Sequence, residues 1–251
     1  MVEPAIELTG LTKRYGEMAA VNGIDLVVPR GCFFGFLGPN GAGKTTTIRM
    51  MMGLTQPSAG SVRLLGLPMP EKGDEIKRRI GLVPDESLLF DRLTGAEYLE
   101  FVGRIYGLPR AVARSRTGEL LSLFALDTAG SKIIGEYSKG MRKRVAMAAA
   151  LIHRPELILM DEPFEGVDAV GARLMKDILL EQVQRGVTVF LTSHVLEVVQ
   201  RLCDQLAIIQ GGVIVRSGPM HEFHQEGASL EEVFVRMVGG EAERGAIEWL
   251  Q

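Results

Sequence analysis

The run Gly38-Pro39-Asn40-Gly41-Ala42-Gly43-Lys44-Thr45-Thr46 has the spacing G-x-x-x-x-G-K-[ST] and sits between an apolar stretch, Phe33 to Leu37, and a stretch free of Gly and Pro from Thr45 to Met52. A strand, a glycine loop and a helix in that order suit phosphate capture. The glycines let successive backbone N–H groups converge on phosphate oxygens, and the helix N-terminus adds partial positive charge. Lys44 can reach the outer phosphates, and the Thr45 hydroxyl can ligate Mg²⁺. A second chemical signal is Leu157-Ile158-Leu159-Met160-Asp161-Glu162, an apolar strand ending in two acids. Beside a phosphate loop, Asp161 can hold Mg²⁺ and Glu162 can polarise a water aimed at a terminal phosphate. Two further residues stand where helices begin: Ser138 before Lys139 to His153, and Asp168 before Ala169 to Gln184. Both have side chains that cap exposed N–H groups.

These residues need a scaffold that brings strand ends together. Short β-rich runs open the chain (Ile6 to Thr9, Ala20 to Val28, Cys32 to Leu37), separated by glycines, and Ser61 to Leu65 and Ile80 to Val83 follow the phosphate-loop helix. From Asp85 to about Gly135 the composition turns to Leu, Ala, Arg and Glu. Leu93, Tyr98, Leu99, Phe101, Val102, Ile105, Leu120, Leu121 and Phe124 recur there at helical spacing. Beyond it, apolar strands at Leu157 to Met160, Val187 to Thr192 and Leu206 to Ile209 alternate with helices, which argues for a parallel sheet. A hairpin strand at Val213 to Val215 and a short helix at Leu230 to Val238 end the pattern. The expected architecture is α/β: a P-loop parallel sheet flanked by helices, an antiparallel β subdomain, and an inserted α-helical subdomain. Residues 1–84 and 136–251 form the core in this reading, and residues 85–135 the insert.

Composition removes several classes. The chain has 251 residues, 46% hydrophobic and 24% charged, with a net charge of −3, which suits a globular protein and lacks the basic excess expected of a nucleic-acid binder. No apolar run approaches the ~20 residues of a membrane span. Glu3, Glu7, Lys13 and Arg14 lie where a secretory signal would be apolar, and Cys32 and Cys203 are the only cysteines, so a cytoplasmic chain with inert thiols is expected. Glycine is abundant, 30 residues, and falls in discrete turns. The asparagines, Asn22 and Asn40, are not followed by Lys, which disfavours a guanine-reading site.

The phosphate loop (Walker A), the acid-ended strand (Walker B), Glu162 and Ser193-His194 occur in the order of ABC-type ATPases, and the chain resembles an ABC nucleotide-binding domain over nearly its whole length. That resemblance implies several roles. Tyr137-Ser138-Lys139-Gly140-Met141 stands in place of the family's L-S-G-G-Q signature, matching at Ser138 and Gly140, and would cap ATP bound to a second subunit. Tyr15 stands where an aromatic stacks on adenine, His194 at the switch histidine that senses the γ-phosphate, and Asp168 at the aspartate of the dimer-interface loop. Asp85 replaces a glutamine that usually contacts Mg²⁺ and the attacking water. The Tyr137 signature, the short insert and Leu230 to Phe234 are similar to ATP-binding subunits of ABC-2-type exporters. The resemblance therefore implies an ATP- and Mg²⁺-dependent ATPase that pairs with a like domain and drives an integral-membrane permease from the inner face of the membrane. A soluble ABC ATPase, for example in iron–sulfur cluster assembly, is the alternative.

Overall fold

The computed structural model describes residues 3–85, 89–223 and 229–238. Residues 86–88 of the expected insert, and residues 1–2, 224–228 and 239–251 of the expected core, lie outside the described residues. The chain starts with β1 (Ile6–Tyr15), β2 (Met18–Val28), β3 (Phe33–Leu37) and α1 (Lys44–Met51), then β4 (Ala59–Leu64), β5 (Leu67–Met69), α2 (Gly73–Lys77) and β6 (Ile80–Val83). Helices α3 (Gly95–Ile105), α4 (Arg110–Leu123) and α5 (Lys139–Leu151) follow. The remainder is β7 (Leu157–Asp161), α6 (Ala169–Gln184), β8 (Thr188–Ser193), α7 (Leu196–Leu202), β9 (Gln205–Gln210), β10 (Val213–Pro219) and α8 (Leu230–Val238).

Two sheets result. An antiparallel sheet has the order β2-β1-β4-β5, and a larger one the order β10-β9-β3-β8-β7-β6, parallel except at the edge strand β10. Every residue of β3, β7 and β8 is buried, as expected for parallel strands covered on both faces. The two-residue period divides them. Phe33, Leu37, Ile158, Met160, Val189 and Leu191 join the core beneath α5, α6 and α7, whereas Phe34, Phe36, Leu159 and Phe190 join the core shared with the antiparallel sheet and α1. Phe34 and Phe190 stack at 5.7 Å on that second face. Both cysteines are free and buried, and burial pushes both thiols up, Cys32 to about 11. Such thiols stay protonated and unreactive at neutral pH.

The first strand runs beyond its expected end at Thr9 because Gly10, at φ 54°, makes a bulge rather than a turn, and pairing resumes through Tyr15. Strand β5 and helix α2 are too short, at 3 and 5 residues, to leave a periodic signal. Helix α3 begins with a capping box that the pattern Thr94-x-x-Glu97 encodes: Thr94 Oγ1 accepts the Glu97 N–H at 3.1 Å and Glu97 Oε2 accepts the Thr94 N–H at 2.8 Å. The Thr94 N–H and the Thr94 hydroxyl, both donating to Glu97 Oε2, hold the Glu97 carboxyl below its ordinary range.

Helices α3 and α4 pack on each other and on α5. At Gly95 a Cβ would fall 2.3 Å from the Tyr137 hydroxyl, so only glycine lets the start of α3 approach the residue before Ser138. Tyr137 completes this clamp by donating to the Ala129 carbonyl at 2.7 Å. At the other end of α3, Tyr106 stacks on His153 with ring centroids 3.6 Å apart, and His153 Nε2 meets the Ile80 carbonyl at 3.1 Å.

Burial lowers His153 from 6.5 to about 4, and the Ile80 bond offsets only part of that. The folded chain keeps this ring neutral while the unfolded chain protonates it below 6.5. The stability it supports is therefore complete above that pH and is lost as pH falls towards about 4. Thermal midpoints measured across this window should fall with pH, and His153→Gln should flatten the slope. An equal slope in the variant would remove His153 from the effect.

Candidate nucleotide site

The parallel register sets the site. Leu37 pairs with Ser193, Thr192 with Asp161, and Met160 with Val83. The phosphate loop, His194, Glu162 and Asp85 therefore leave the sheet at one carboxyl edge, where open α/β sheets gather their ligands. A cleft of about 420 Å³ opens there, lined by Tyr15, Met18, Ala20, Asn40, Gly41, Gly43, Lys44, Thr45, Thr46, Asp85, Glu162 and Glu165.

Within the loop, Gly43 caps α1 at φ 109° with no side-chain bond, which leaves the first-turn N–H groups of α1 directed at the cleft. A Cβ at Gly43 would fall 2.5 Å from the Ala20 carbonyl oxygen, and at Gly38 it would fall 2.3 Å from that of Ile209, so both positions exclude side chains. Pro39 and the buried Ala42 shape the loop without lining the cleft, and the Ala42 N–H bonds the Pro39 carbonyl at 3.2 Å. Lys44 is 6% exposed and donates to the carbonyls of Gly38 at 2.7 Å and Pro39 at 3.2 Å. Its Nζ also lies 3.3 Å from Glu162 Oε1.

Glu162 is the centre of the charged cluster. Its Oε1 is buried without a well-aligned hydrogen bond, yet stands 3.3 Å from Lys44 Nζ and 3.0 Å from His194 Nδ1. Its backbone has φ 44°, a left-handed conformation that costs a non-glycine residue about 1–3 kcal/mol. The turn is held locally by the Glu165 N–H, which donates to the Glu162 carbonyl at 3.3 Å, and by two contacts from other elements. The Glu162 N–H donates to Thr192 Oγ1 at 3.2 Å, and the Glu162 carbonyl accepts from Lys143 Nζ at 3.2 Å. The Thr192 hydroxyl in turn donates to Asp161 Oδ1, and Asp161 is buried below the cleft.

Asp85 reaches the cleft but is also engaged from behind, with Oδ1 3.4 Å from Lys143 Nζ. Burial lowers the Lys143 ammonium from its ordinary value and Asp85 draws it back up. Tyr15 lies at the cleft wall, half exposed, with Lys13 Nζ 5.1 Å from its ring centroid.

The signature lies apart from this cleft. Ser138 caps α5, accepting the Met141 N–H at 3.2 Å, and Asp168 caps α6, accepting the Gly171 N–H at 2.9 Å, which holds the Asp168 carboxyl below its ordinary range. Gly140 packs beside Val167 and Asp168, so the two helix N-termini converge. Lys139 is exposed and pairs with Glu165 at 3.0 Å, while Met141 packs on the core.

Sequence reasoning missed Glu165, Thr192 and Lys143. The first two become visible only with the β7–β8 register and the loop after β7. Lys143 had a signal: it shares the spacing of Gly140, Met147 and Leu151, the buried face of α5.

Fold and site together define a P-loop nucleotide hydrolase with a carboxylate at the phosphate end of its cleft. A family model described as ABC transporter matches residues 21–165. The Nod factor export ATP-binding protein I of Ralstonia nicotianae is 40% identical over 233 residues, 92% of this chain and 73% of its own length. A solved structure described as an ATP-binding subunit of an ABC transporter superposes with a TM-score of 0.86 at 30% identity, covering 93% of this chain and 99% of its own. A dimeric structure described as a bacterial ABC transporter cassette gives 0.80 at 26% identity, over 86% and 98%. The chain belongs to the ABC transporter ATP-binding family. It is an ATPase subunit, and these relatives favour transport over the assembly alternative. Among the described residues no helix is long and apolar enough to cross a membrane.

Proposed function

We propose that this chain powers export through a separate integral-membrane permease, working as one of two paired ATPase domains that each complete the other's site. The observation that carries this reading is the division of the site: phosphate-binding and water-activating groups share one cleft, whereas Ser138 and Gly140 lie outside it. A second subunit supplies the missing cap, with Ser138, Lys139, Gly140 and Met141 meeting its neighbour's nucleotide and Asp168 at the shared interface. The dimeric relative supports this arrangement.

In each cleft the loop from Gly38 to Thr46 wraps the phosphate chain and Tyr15 stacks on adenine. Lys44 exchanges its loop carbonyls for phosphate oxygens. Glu162, whose buried Oε1 lacks an aligned donor, accepts the proton of the attacking water. His194 holds the γ-phosphate side. The donor set of Thr45, Asp161 and Asp85 suits Mg²⁺ that arrives with the nucleotide, since Mg²⁺ takes one or two carboxylates plus phosphates. Among the described residues no cluster of three acidic, His or Cys side chains could hold a metal alone. Bound there, Mg²⁺ would neutralise charge on the outer phosphates.

Residues 85–135 form the helical unit that meets the permease. An aromatic cluster supports this surface. Phe90 packs edge-on to Tyr98 at 6.1 Å and Phe101 at 5.5 Å, with Phe90 55% and Ile105 66% exposed. A permease partner places the chain in the cytoplasm, peripheral on the inner face of the membrane; the net charge of −3 offers nothing for nucleic acid.

Affinity purification of the tagged chain from detergent-solubilised membranes of its host, with and without ATP, tests the reading. A multi-span protein should co-purify in stoichiometric amount. A purely soluble partner set, with none of the chain in the membrane fraction, would contradict it.

A further inference from the structure

The basic run Arg142-Lys143-Arg144 divides its work in three directions. Arg142 reaches the insert side, pairing with Asp91 at 2.7 Å and donating to the Ile134 carbonyl at 3.1 Å. Arg144 donates to the carbonyls of Phe124 at 2.9 Å and Ala125 at 3.3 Å, just past the end of α4. Lys143 turns inward instead, 2% exposed. Its three ammonium hydrogens face the Pro84, Asp85 and Glu162 carbonyls and the Asp85 carboxylate.

A buried ammonium is costly unless paired, so its cost must be offset by what it holds. The partners here are the loop after β6 and the left-handed turn after β7, which carry Asp85 and Glu162. The helix that bears the ammonium is itself capped by Ser138. One cation therefore ties the catalytic edge of a chain to the helix whose N-terminus faces the second subunit's nucleotide.

We propose that Lys143 is a positioning residue for hydrolysis: it holds the Glu162 backbone in its left-handed turn and fixes the Asp85 loop, so that the catalytic edge and the signature helix move as one piece. This rests on the reading of Glu162 as the group that activates water. Lys143 touches neither nucleotide nor water in this account. It sets where the Glu162 carboxylate stands, and a misplacement on the order of 1 Å can cost about 10²-fold in rate.

The test compares the full chain with Lys143→Met, Lys143→Gln and Glu162→Gln, measuring kcat and KM for ATP, equilibrium ATP affinity and thermal midpoint. Lys143→Met should lower kcat by ~10-fold or more, with ATP affinity within about 3-fold of the parent, because the phosphate loop is untouched. Lys143→Gln keeps a donor for the carbonyls and should recover part of the loss. It also serves if the Met variant fails to fold. An unchanged kcat in both Lys143 variants while Glu162→Gln is slow would overturn the proposal. So would a fall in affinity and thermal midpoint that accounts for the lost rate. Parental turnover in Glu162→Gln would instead overturn the reading beneath it.

Discussion

Glu162→Gln is expected to leave ATP bound and to slow its hydrolysis by at least ~10²-fold, the lower end of what a positioned general base contributes. The amide matches the carboxylate in shape, so the left-handed turn at φ 44° and its contacts to Thr192 and Lys143 should persist. What is lost is the capacity to take a proton from water, together with the negative charge beside Lys44 and His194. Because the ATP-bound pair then fails to pass on to products, a dimer should accumulate. Single-turnover hydrolysis and light scattering with ATP read the two effects separately. Turnover at the parental rate would remove Glu162 from its role.

Lys44→Ala is expected to act one step earlier, on binding. The ammonium is buried at the base of the loop, held by the Gly38 and Pro39 carbonyls, and charge-assisted bonds of this type contribute about 1.5–3 kcal/mol each. Loss of two such bonds to phosphate oxygens should weaken ATP affinity by ~10²-fold or more. The substitution also strips Glu162 Oε1 of a cation 3.3 Å away, leaving His194 as its neighbour. Calorimetric titration with ATP measures the loss. An affinity equal to that of the parent would refute the assignment of Lys44 to phosphate.

What was legible in the sequence follows from how local each signal is. The loop from Gly38 to Thr46 could be read because its chemistry is contiguous, and the strand ending in Asp161-Glu162 because a wholly buried parallel strand is a continuous apolar run. Capping could be read at Ser138 and Asp168 for the same reason. The roles given to Tyr15, His194 and Asp85 came from family resemblance; the parallel register brings His194 and Asp85 to the edge that carries the loop, whereas Tyr15 reaches the cleft wall from the end of β1 in the antiparallel sheet. Contacts across the sheet were out of reach. Nothing near Thr192 announces that its hydroxyl joins Asp161 to the Glu162 amide, since that pairing exists only once β7 and β8 are in register. Gly10 misled for a different reason: a glycine with positive φ serves a turn and a bulge equally well, and the pairing partner decides.

The central claim is that each ATP site is finished by the other subunit, and mixing two inactive variants tests it most directly. Lys44→Ala retains an intact signature, and Ser138→Arg retains an intact phosphate loop while blocking the cap at α5. Each alone should hydrolyse ATP at background rate. A mixed pair contains one site built from two intact halves, so an equimolar mixture should regain turnover, on the order of a quarter of the parental rate when pairing is random and sites act independently. A mixture that stays at background while both variants fold and associate would contradict completion of the site in trans.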